Sequence, residues 1–300
     1  MTQVLIDGLF LGCVYALIAL GYSMVYGIIK LLNFAHGDIF MFGAMIAFTM
    51  LTAVPGLQSA GIVAVFGVLI LSMFLTGGTG VLIEAVAYKP LRSAPRLSLL
   101  ITAVGMSFVL EYGVKQFWGS KSITWPQWAQ MGAGSIPIFD GTITISRLVL
   151  MAVSIALMVG LGFYINGTRQ GRAMRAIALD QRASTLMGVD VNRTISLVFF
   201  IGSALAGAAG VMFGMYYGAI GFMMGFLLGL KAFTAAVIGG IGNMYGAMLG
   251  GLTLGLIERT TVYFCNGDDS WKDVVSFGLL ILFLTLRPTG ILGDRVVERM

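Results

Sequence analysis

The residues best suited to chemistry in this sequence are a few polar side chains within long apolar stretches. The densest group is Asn33, His36 and Asp38, with Gly37 between the last two, in the segment LLNFAHGDIF. The group follows Lys30 closely, which places it at one edge of an apolar stretch. Two interpretations stay open. The cluster lines a transport path or gate at a broken helix start, or it caps an interfacial helix end.

A second candidate is Lys231, which stands alone between two charge-free stretches. An ammonium group there needs a carboxylate, a carbonyl or water, because an isolated charge within hydrocarbon costs about 2.5–3.5 kcal/mol on insertion scales. Its role stays open. Lys231 is assigned, together with Gly239 and Gly240 in the glycine-rich stretch that follows, to a possible translocation path.

Two acidic residues in apolar stretches have nearby basic residues. Glu84 lies shortly before Lys89 and Arg92, and we expect it to be paired or to reach the membrane surface. Glu111 precedes Lys115 by one helical turn, a spacing that favours an ion pair on a helix. A structural role is predicted for both acids.

No catalytic constellation is present. The chain has one histidine and two cysteines, and it has no HExxH motif, no GxSxG motif and no P-loop. A zinc site or a serine–histidine triad cannot be assembled from these residues. We therefore expect no metal, no cofactor and no enzymatic activity.

The composition is that of a membrane protein. Hydrophobic residues make up 58% of the chain and charged residues 10%, and the mean hydropathy is +0.94. Soluble domains carry roughly 25% charged residues, whereas a membrane-spanning helix needs about 20 apolar residues. Continuous apolar runs predict helices rather than the strands of a barrel.

The fold predicted is an all-α, polytopic bundle of about eight or nine membrane segments, forming one domain over residues 1–300. Two glycine-rich regions, 34–53 and 226–260, are expected to be broken or re-entrant. The predicted spans are 5–29, 34–53, 61–86, 97–118, 147–165, 195–217, 226–242, 244–260 and 274–292.

Small residues indicate how these helices pack. The chain has 42 glycines, and Gly210, Gly214 and Gly218 recur every four residues along one helix face. Because leucine-rich helices gain little from meeting in lipid, close packing relies on such small residues. We favour packing within one bundle over a homodimer seam.

The loops differ in basic residues, which sets an orientation. Loop 87–97, loop 166–194 and the C-terminal segment concentrate Lys and Arg, and by the positive-inside rule they are cytoplasmic. The N-terminus is then external and the C-terminus cytoplasmic. The basic pI follows from this bias, and no nucleic-acid partner is expected. The basic residues concerned are Lys89, Arg92, Arg96, Arg169, Arg172, Arg175, Arg182, Arg193, Arg287, Arg295 and Arg299.

The longest basic loop reads as a short amphipathic helix. Arg172, Arg175 and Arg182 fall on one side, with Met174 and Ile177 roughly opposite. Gly188 breaks the segment before the next membrane helix. Two interpretations stay open: the loop docks against a soluble partner, or it lies on the lipid surface.

Longer motifs give the sequence a close resemblance to the permease subunits of ABC-type branched-chain amino acid importers, of the LivH-like kind. The resemblance covers nearly the whole chain. The segments that carry it are GLFLGCVYALIALGYSMVYGIIKLLNFAHGDIFMFGA, AYKPLRSAPRLSLLITAVGMS, GRAMRAIALDQRASTLMGVDVNRT, GLKAFTAAVIGGIGNMYGAMLGGLTLG and WKDVVSFGLLILFLTLRPTGILG.

The resemblance implies several partners. These are a homologous second permease, two cytoplasmic ATP-binding subunits, a periplasmic substrate-binding protein and the membrane lipid. Loop 166–194 would be the coupling segment that seats on an ATPase, and segments 34–53 and 226–246 would line the path. The residues implied in coupling are Arg172, Arg175, Asp180, Arg182 and Gly188.

One departure from the family pattern lies in the coupling segment. Where ABC permeases have Glu-Ala-Ala, three residues and Gly, this chain has Arg182-Ala183-Ser184 and then Gly188. Two alternatives remain: the same architecture with urea, an amide or another amino acid as cargo, or an ATP-independent carrier or channel.

Overall fold

The apolar stretches form helices, because a backbone within lipid must satisfy its hydrogen bonds inside its own segment. The computed structural model describes residues 1–30, 32–92, 94–130, 134–138 and 141–293. Its helices are α1 (Thr2–Ile29), α2 (Ala35–Ala53), α3 (Gly61–Ile83), α4 (Arg96–Trp118), α5 (Ile145–Gly167), α6 (Arg169–Leu179), α7 (Gln181–Leu186), α8 (Val191–Tyr217), α9 (Met224–Gly239), α10 (Met244–Phe264) and α11 (Trp271–Leu286).

The predicted all-α polytopic bundle is confirmed, and each predicted span overlaps a helix, although 226–242 and 274–292 run past the ends of α9 and α11. Among the described residues, six helices are long and apolar enough to cross a membrane. The count becomes seven when α9 and α10, bent by 120° at the break between them, are taken as one span. That bend is the broken segment expected in the glycine-rich region 226–260. The predicted eight or nine segments count α9, α10 and the shorter, 16-residue α11 separately.

Short strands close one end of the bundle. Strand β1 (Ile123–Thr124) pairs antiparallel with β4 (Ala219–Ile220), which joins the segment after α4 to the segment after α8. Strands β2 (Ser135–Ile138) and β3 (Gly141–Thr144) form a hairpin, with Ile136 opposite Ile143.

Helix α1 lies at the centre and packs closely against α10 through small residues. An added methyl group at Gly251 would overlap Ala16, and one at Gly255 would overlap Gly12. Gly210 of α8 meets the backbone of α2 in the same way. The predicted packing by small residues within one bundle is therefore present.

The basic segments gather at one end of the bundle. Arg92 donates to Asn192 Oδ1 (2.6 Å), which joins loop 87–97 to the start of α8. Arg175 donates to the carbonyl of Ile165 (2.7 Å), which joins α6 to the end of α5. We name this the basic end. A cytoplasmic location for both loops requires them to lie on one side of the bundle, and they do.

The C-terminal segment returns to the same end. The backbone N–H groups of Ile291 and Leu292 donate to the carbonyls of Ile238 and Gly239 (2.8 and 2.9 Å). These two backbone hydrogen bonds tie the chain after α11 to the end of α9. Two basic residues used in the orientation argument lie outside the described residues: Arg295 and Arg299.

Candidate functional site

Helix α2 is continuous from Ala35 to Ala53, so the break expected in region 34–53 is not found, but the first turn of this helix lies inside the bundle. The ring of His36 lies edge-on to Tyr22, with 4.7 Å between centroids, and occupies space left by Gly21 of α1. At 1.5 Å per residue, Gly21 is about 12 Å from the end of α1. The polar cluster therefore reaches deeper than the membrane edge at which the sequence places it.

The three cluster residues are almost completely buried: Asn33 is 3%, His36 1% and Asp38 0% exposed. The Tyr88 hydroxyl donates to Asn33 Oδ1 (2.6 Å). The Ser107 hydroxyl of α4 donates to Asp38 Oδ2. The cluster is thus held by the π-helical turn Glu84–Tyr88 after α3 and by α4.

Several polar atoms of the cluster have no hydrogen-bond partner within the part of the chain that the structure describes. They are Asn33 Nδ2, His36 Nε2 and Asp38 Oδ1. Leaving a buried donor or acceptor unpaired costs about 1–3 kcal/mol. The cluster therefore holds two nitrogens and a carboxylate oxygen that can engage a polar molecule.

Helix α9 also begins beside this cluster. Gly225 and Gly229 of α9 cross Gly37 so closely that a methyl group on any of the three would overlap the opposite helix. A methyl group at Gly225 would also lie 2.6 Å from Asp38 Oδ1. We name this contact the α2–α9 crossing. Because the N-terminal end of a helix is electropositive, the first turn of α9 favours the carboxylate beside it.

Lys231 belongs to a different cluster. Its ammonium lies 3.0 Å from Glu258 Oε1 and 2.6 Å from Asp273 Oδ1. The Tyr15 hydroxyl donates to the other oxygen of Glu258 (2.9 Å). These residues join α1, α9, α10 and α11, and Lys231 does not accompany Asn33, His36 and Asp38. The sequence signal for its partner was available, since Glu258 interrupts an apolar stretch, but the pairing requires the fold.

Gly239 and Gly240 lie at a third place, the bend between α9 and α10. Gly240 has φ +109°, a conformation that favours glycine. Gly239 meets Gly246 too closely for a methyl group. The residues predicted for the path are thus divided among the polar cluster, the Lys231 cluster and this bend.

The two predicted acid–base pairs have different outcomes. Glu84 pairs with Arg92, as expected. Glu111 is buried, but its predicted ion pair with Lys115 is wrong: within the described residues, the Lys115 ammonium instead lies 5.5 Å from the ring centroid of Phe222. The face of an aromatic ring attracts a cation. The ring of Phe222 therefore lies beside the Lys115 ammonium, where helical spacing predicted the Glu111 carboxylate.

Loop 166–194 folds into the helices α6 and α7, which lie at the basic end. Met174 and Ile177 are buried, while Arg172 and Arg182 are exposed. The predicted amphipathic helix is present as α6, but it ends at Leu179, so Arg182 lies on the separate helix α7 and does not share a helix face with Arg172 and Arg175. Arg175 has an internal role, since it donates to the carbonyl of Ile165 at the end of α5.

Two other residues assigned to coupling shape the backbone of this loop. Asp180 Oδ1 accepts from the backbone N–H groups of Arg182 and Ala183 (2.8 and 3.0 Å), which caps the start of α7. Gly188 has φ +83° and turns the chain toward α8. Both positions are explained by local geometry.

The outer surface of the loop also carries exposed apolar side chains, which the sequence pattern did not predict. Leu179 and Leu186 are 89% exposed and Met187 is 84% exposed. Leu179 and Leu186 are the last residues of α6 and α7, and Met187 follows α7 directly. Because they lie at helix ends, hydrophobic periodicity along a helix does not identify them. We name Leu179, Leu186 and Met187 the apolar tip.

Known proteins resemble this chain along its whole length. A family described as "Branched-chain amino acid transport system / permease component" matches residues 4–284. The permease protein LivH of the high-affinity branched-chain amino acid transport system of Escherichia coli is 42% identical over 305 residues. Permease protein BraD of the corresponding system in Pseudomonas aeruginosa is 45% identical over 302 residues. Both alignments cover 99% of this chain and 97% of the relative.

These matches confirm the resemblance that the sequence motifs indicate, and they agree with a polytopic bundle built for transport rather than catalysis. The chain belongs to the family of permease components of branched-chain amino acid transport systems.

Proposed function

We propose that this chain, as a single permease domain over residues 1–300, forms half of the path by which leucine, isoleucine and valine cross an inner membrane. A second, homologous permease forms the other half, two ATP-binding subunits supply energy, and a periplasmic binding protein delivers the cargo. The names of the relatives LivH and BraD support this cargo, since both belong to high-affinity branched-chain amino acid systems.

The observation that carries the proposed path is the α2–α9 crossing. Two helices that begin within the bundle meet there over buried polar atoms that have no hydrogen-bond partner among the described residues. Broken helices whose ends meet near the middle of the bilayer are how many transporters bind a substrate. Asp38 Oδ1 would accept a hydrogen bond from the ammonium group of an amino acid, and the first turn of α9 would attract the carboxylate of the same amino acid.

Aromatic rings beside the cluster fit an aliphatic side chain. The ring of Phe233 lies 6.2 Å from Tyr22 and 6.4 Å from Phe34, measured between centroids. A branched aliphatic group gains free energy from such a surface, at about 25 cal/mol per Å² buried. Urea and short amides would gain little there. This contrast favours amino acids with apolar side chains over the alternative cargoes.

The α2–α9 crossing is closed in this structure, so transport requires it to open. We propose that rocking of the bundle separates α9 from α2 and exposes Asp38 and His36. Packed interfaces switch between discrete arrangements. Because the glycine contacts are tight, we expect the crossing to have two states, one with α2 and α9 in contact and one with them separated.

We further propose that the basic end is cytoplasmic, with the N-terminus periplasmic and the C-terminus cytoplasmic. The clustering of Lys89, Arg92 and the arginines of α6 and α7 at this end supports that orientation. The apolar tip would then face the ATP-binding subunit. The residues assigned to coupling would support that contact by shaping and surrounding it; they are Arg172, Arg175, Asp180, Arg182 and Gly188.

A substitution in the polar cluster tests the path. Asp38→Asn keeps the size of the side chain and removes its charge, and we expect uptake of leucine per assembled complex to fall at least about tenfold, because a charge-assisted hydrogen bond becomes neutral. Initial uptake rates in vesicles, divided by the amount of assembled complex, measure this.

Ser154→Ala is the matched control, because Ser154 is also buried but donates to the carbonyl of Leu150 in its own helix. We expect its uptake to stay close to that of the parent. If Asp38→Asn lowers assembly and uptake in equal proportion, the cluster is a structural helix cap and the proposed path is refuted.

A further inference from the structure

A cavity of about 600 Å³ at the basic end has no part in the proposed path. Helix α6, the first turns of α8 and the C-terminal end of α3 form its walls. Its size lies within the range of small-molecule sites, about 300–1,000 Å³.

The rim of this cavity is basic. Arg169 at the start of α6 and Arg193 at the start of α8 both line it. Among the described residues, neither guanidinium group has an ion-pair or hydrogen-bond partner in the protein. Asp190 also lines the cavity, but its Oδ1 accepts from the backbone N–H of Arg193 and so caps α8. The rim therefore carries two unpaired cations and one engaged carboxylate.

The floor of the cavity is apolar and continues onto the outer face of α3. Val81, Leu197 and Phe200 form the floor. The ring of Phe200 meets Phe74 at 5.6 Å between centroids, and Phe74 is 65% exposed. On a bundle this apolar, such an outward-facing aromatic surface contacts lipid chains.

The depth of the cavity matches a lipid headgroup. It lies where α3 ends and α8 begins, and long apolar helices end at the boundary between hydrocarbon and water. Basic pockets between membrane helices at that depth bind anionic headgroups. An arginine fork suits phosphate, which it can contact with two parallel hydrogen bonds.

We propose that this cavity binds one anionic phospholipid, with its phosphate between Arg169 and Arg193 and an acyl chain along Phe200 and the outer face of α3. Because Arg169 opens α6, such a lipid links the segment that carries the apolar tip to the membrane bundle. The site does not depend on the cargo or on the α2–α9 crossing.

The test uses the assembled transporter, purified in a mild detergent and depleted of lipid. Phosphatidylglycerol, phosphatidylcholine and inorganic phosphate are added separately, and the thermal midpoint of unfolding and the bound lipid, by native mass spectrometry, are measured. We expect only phosphatidylglycerol to raise the midpoint and to remain bound.

The variant Arg169→Gln with Arg193→Gln should bind phosphatidylglycerol at least about tenfold more weakly, because each arginine near a membrane surface contributes about fivefold to anionic lipid binding. The matched control is Lys89→Gln with Arg287→Gln, which removes two exposed cations of the basic end that lie outside the cavity. It should bind phosphatidylglycerol as the parent does.

Several results would overturn the proposal. Equal loss in both double variants would show general charge attraction and no site, and unchanged binding in Arg169→Gln with Arg193→Gln would remove the site. An equal rise with inorganic phosphate would assign the cavity to a soluble anion. If the double variant Arg169→Gln with Arg193→Gln assembles poorly, the single variants are compared instead. Arg193→Lys, which keeps the charge, must then retain the midpoint rise that Arg193→Gln loses.

Discussion

At the scale of single residues, the sequence identifies the polar side chains but not their partners. Asn33, His36 and Asp38 stand out because charged and polar groups are scarce here, and the structure buries all three. The partners of Lys231 could not be predicted, since Glu258 and Asp273 approach it only through the packing of α9, α10 and α11. Helical spacing also misled at Glu111, because Lys115 lies over the rings of Tyr112 in its own helix and Phe222 from outside it, and the second of these contacts depends on the fold.

The Lys231 cluster gives a prediction at this scale. Lys231→Met leaves Glu258 as a buried carboxylate without its cation, and breaking such a pair costs about 3–5 kcal/mol. We expect the thermal midpoint of the purified complex to fall. Adding Glu258→Gln, which removes the unpaired charge, should restore most of the loss.

Lys272→Met is the control for this prediction, because Lys272 pairs with Asp269 at the exposed surface (3.3 Å). Surface pairs contribute about 0–1 kcal/mol, so the midpoint should hardly move. If Lys231→Met alone is as stable as the parent, the ion cluster does not stabilise the bundle.

At the scale of elements, hydropathy predicts every long helix, because each apolar run must satisfy its backbone within itself. The broken region 226–260 follows from its glycines, which permit the turn at Gly240 with φ +109°. The depth at which α2 begins could not be predicted. It depends on Gly21 leaving room for His36, a contact between two helices.

The α1–α10 contact gives a prediction at this scale. Gly251→Ala places a methyl group against the backbone of Ala16, and overpacking of this kind costs about 1–3 kcal/mol. We expect a lower thermal midpoint and less assembled complex. Gly160→Ala in α5 is the control, since an added methyl group there meets open space. Equal effects of the two substitutions would mean that α1 and α10 do not pack as closely as described.

At the scale of the whole molecule, the bundle has a basic end that carries α6, α7 and the apolar tip. The amphipathic loop can be predicted from the sequence, whereas the apolar tip cannot, because it depends on which side chains the folded loop leaves exposed.

Leu186→Asp should weaken the proposed contact with the ATP-binding subunit. The side chain of Leu186 is 89% exposed in this chain alone, and the contact would bury it, so the variant would bury a charge instead. We expect at least about tenfold less co-purified ATP-binding subunit.

Phe264→Asp is the control for the tip, since Phe264 is 70% exposed at the opposite end of the bundle. It should leave the co-purified amount unchanged. If Leu186→Asp retains the ATP-binding subunit at the level of the parent, the apolar tip is not the docking surface.

Uptake by the reconstituted transporter tests the central proposal most directly. Liposomes that contain the permease pair, the ATP-binding subunits and the binding protein should take up labelled leucine only when ATP reaches the ATP-binding subunits. Isoleucine and valine should compete with leucine, and urea should not. Uptake that proceeds on an ion gradient without ATP, or uptake of urea in preference to leucine, would contradict the account.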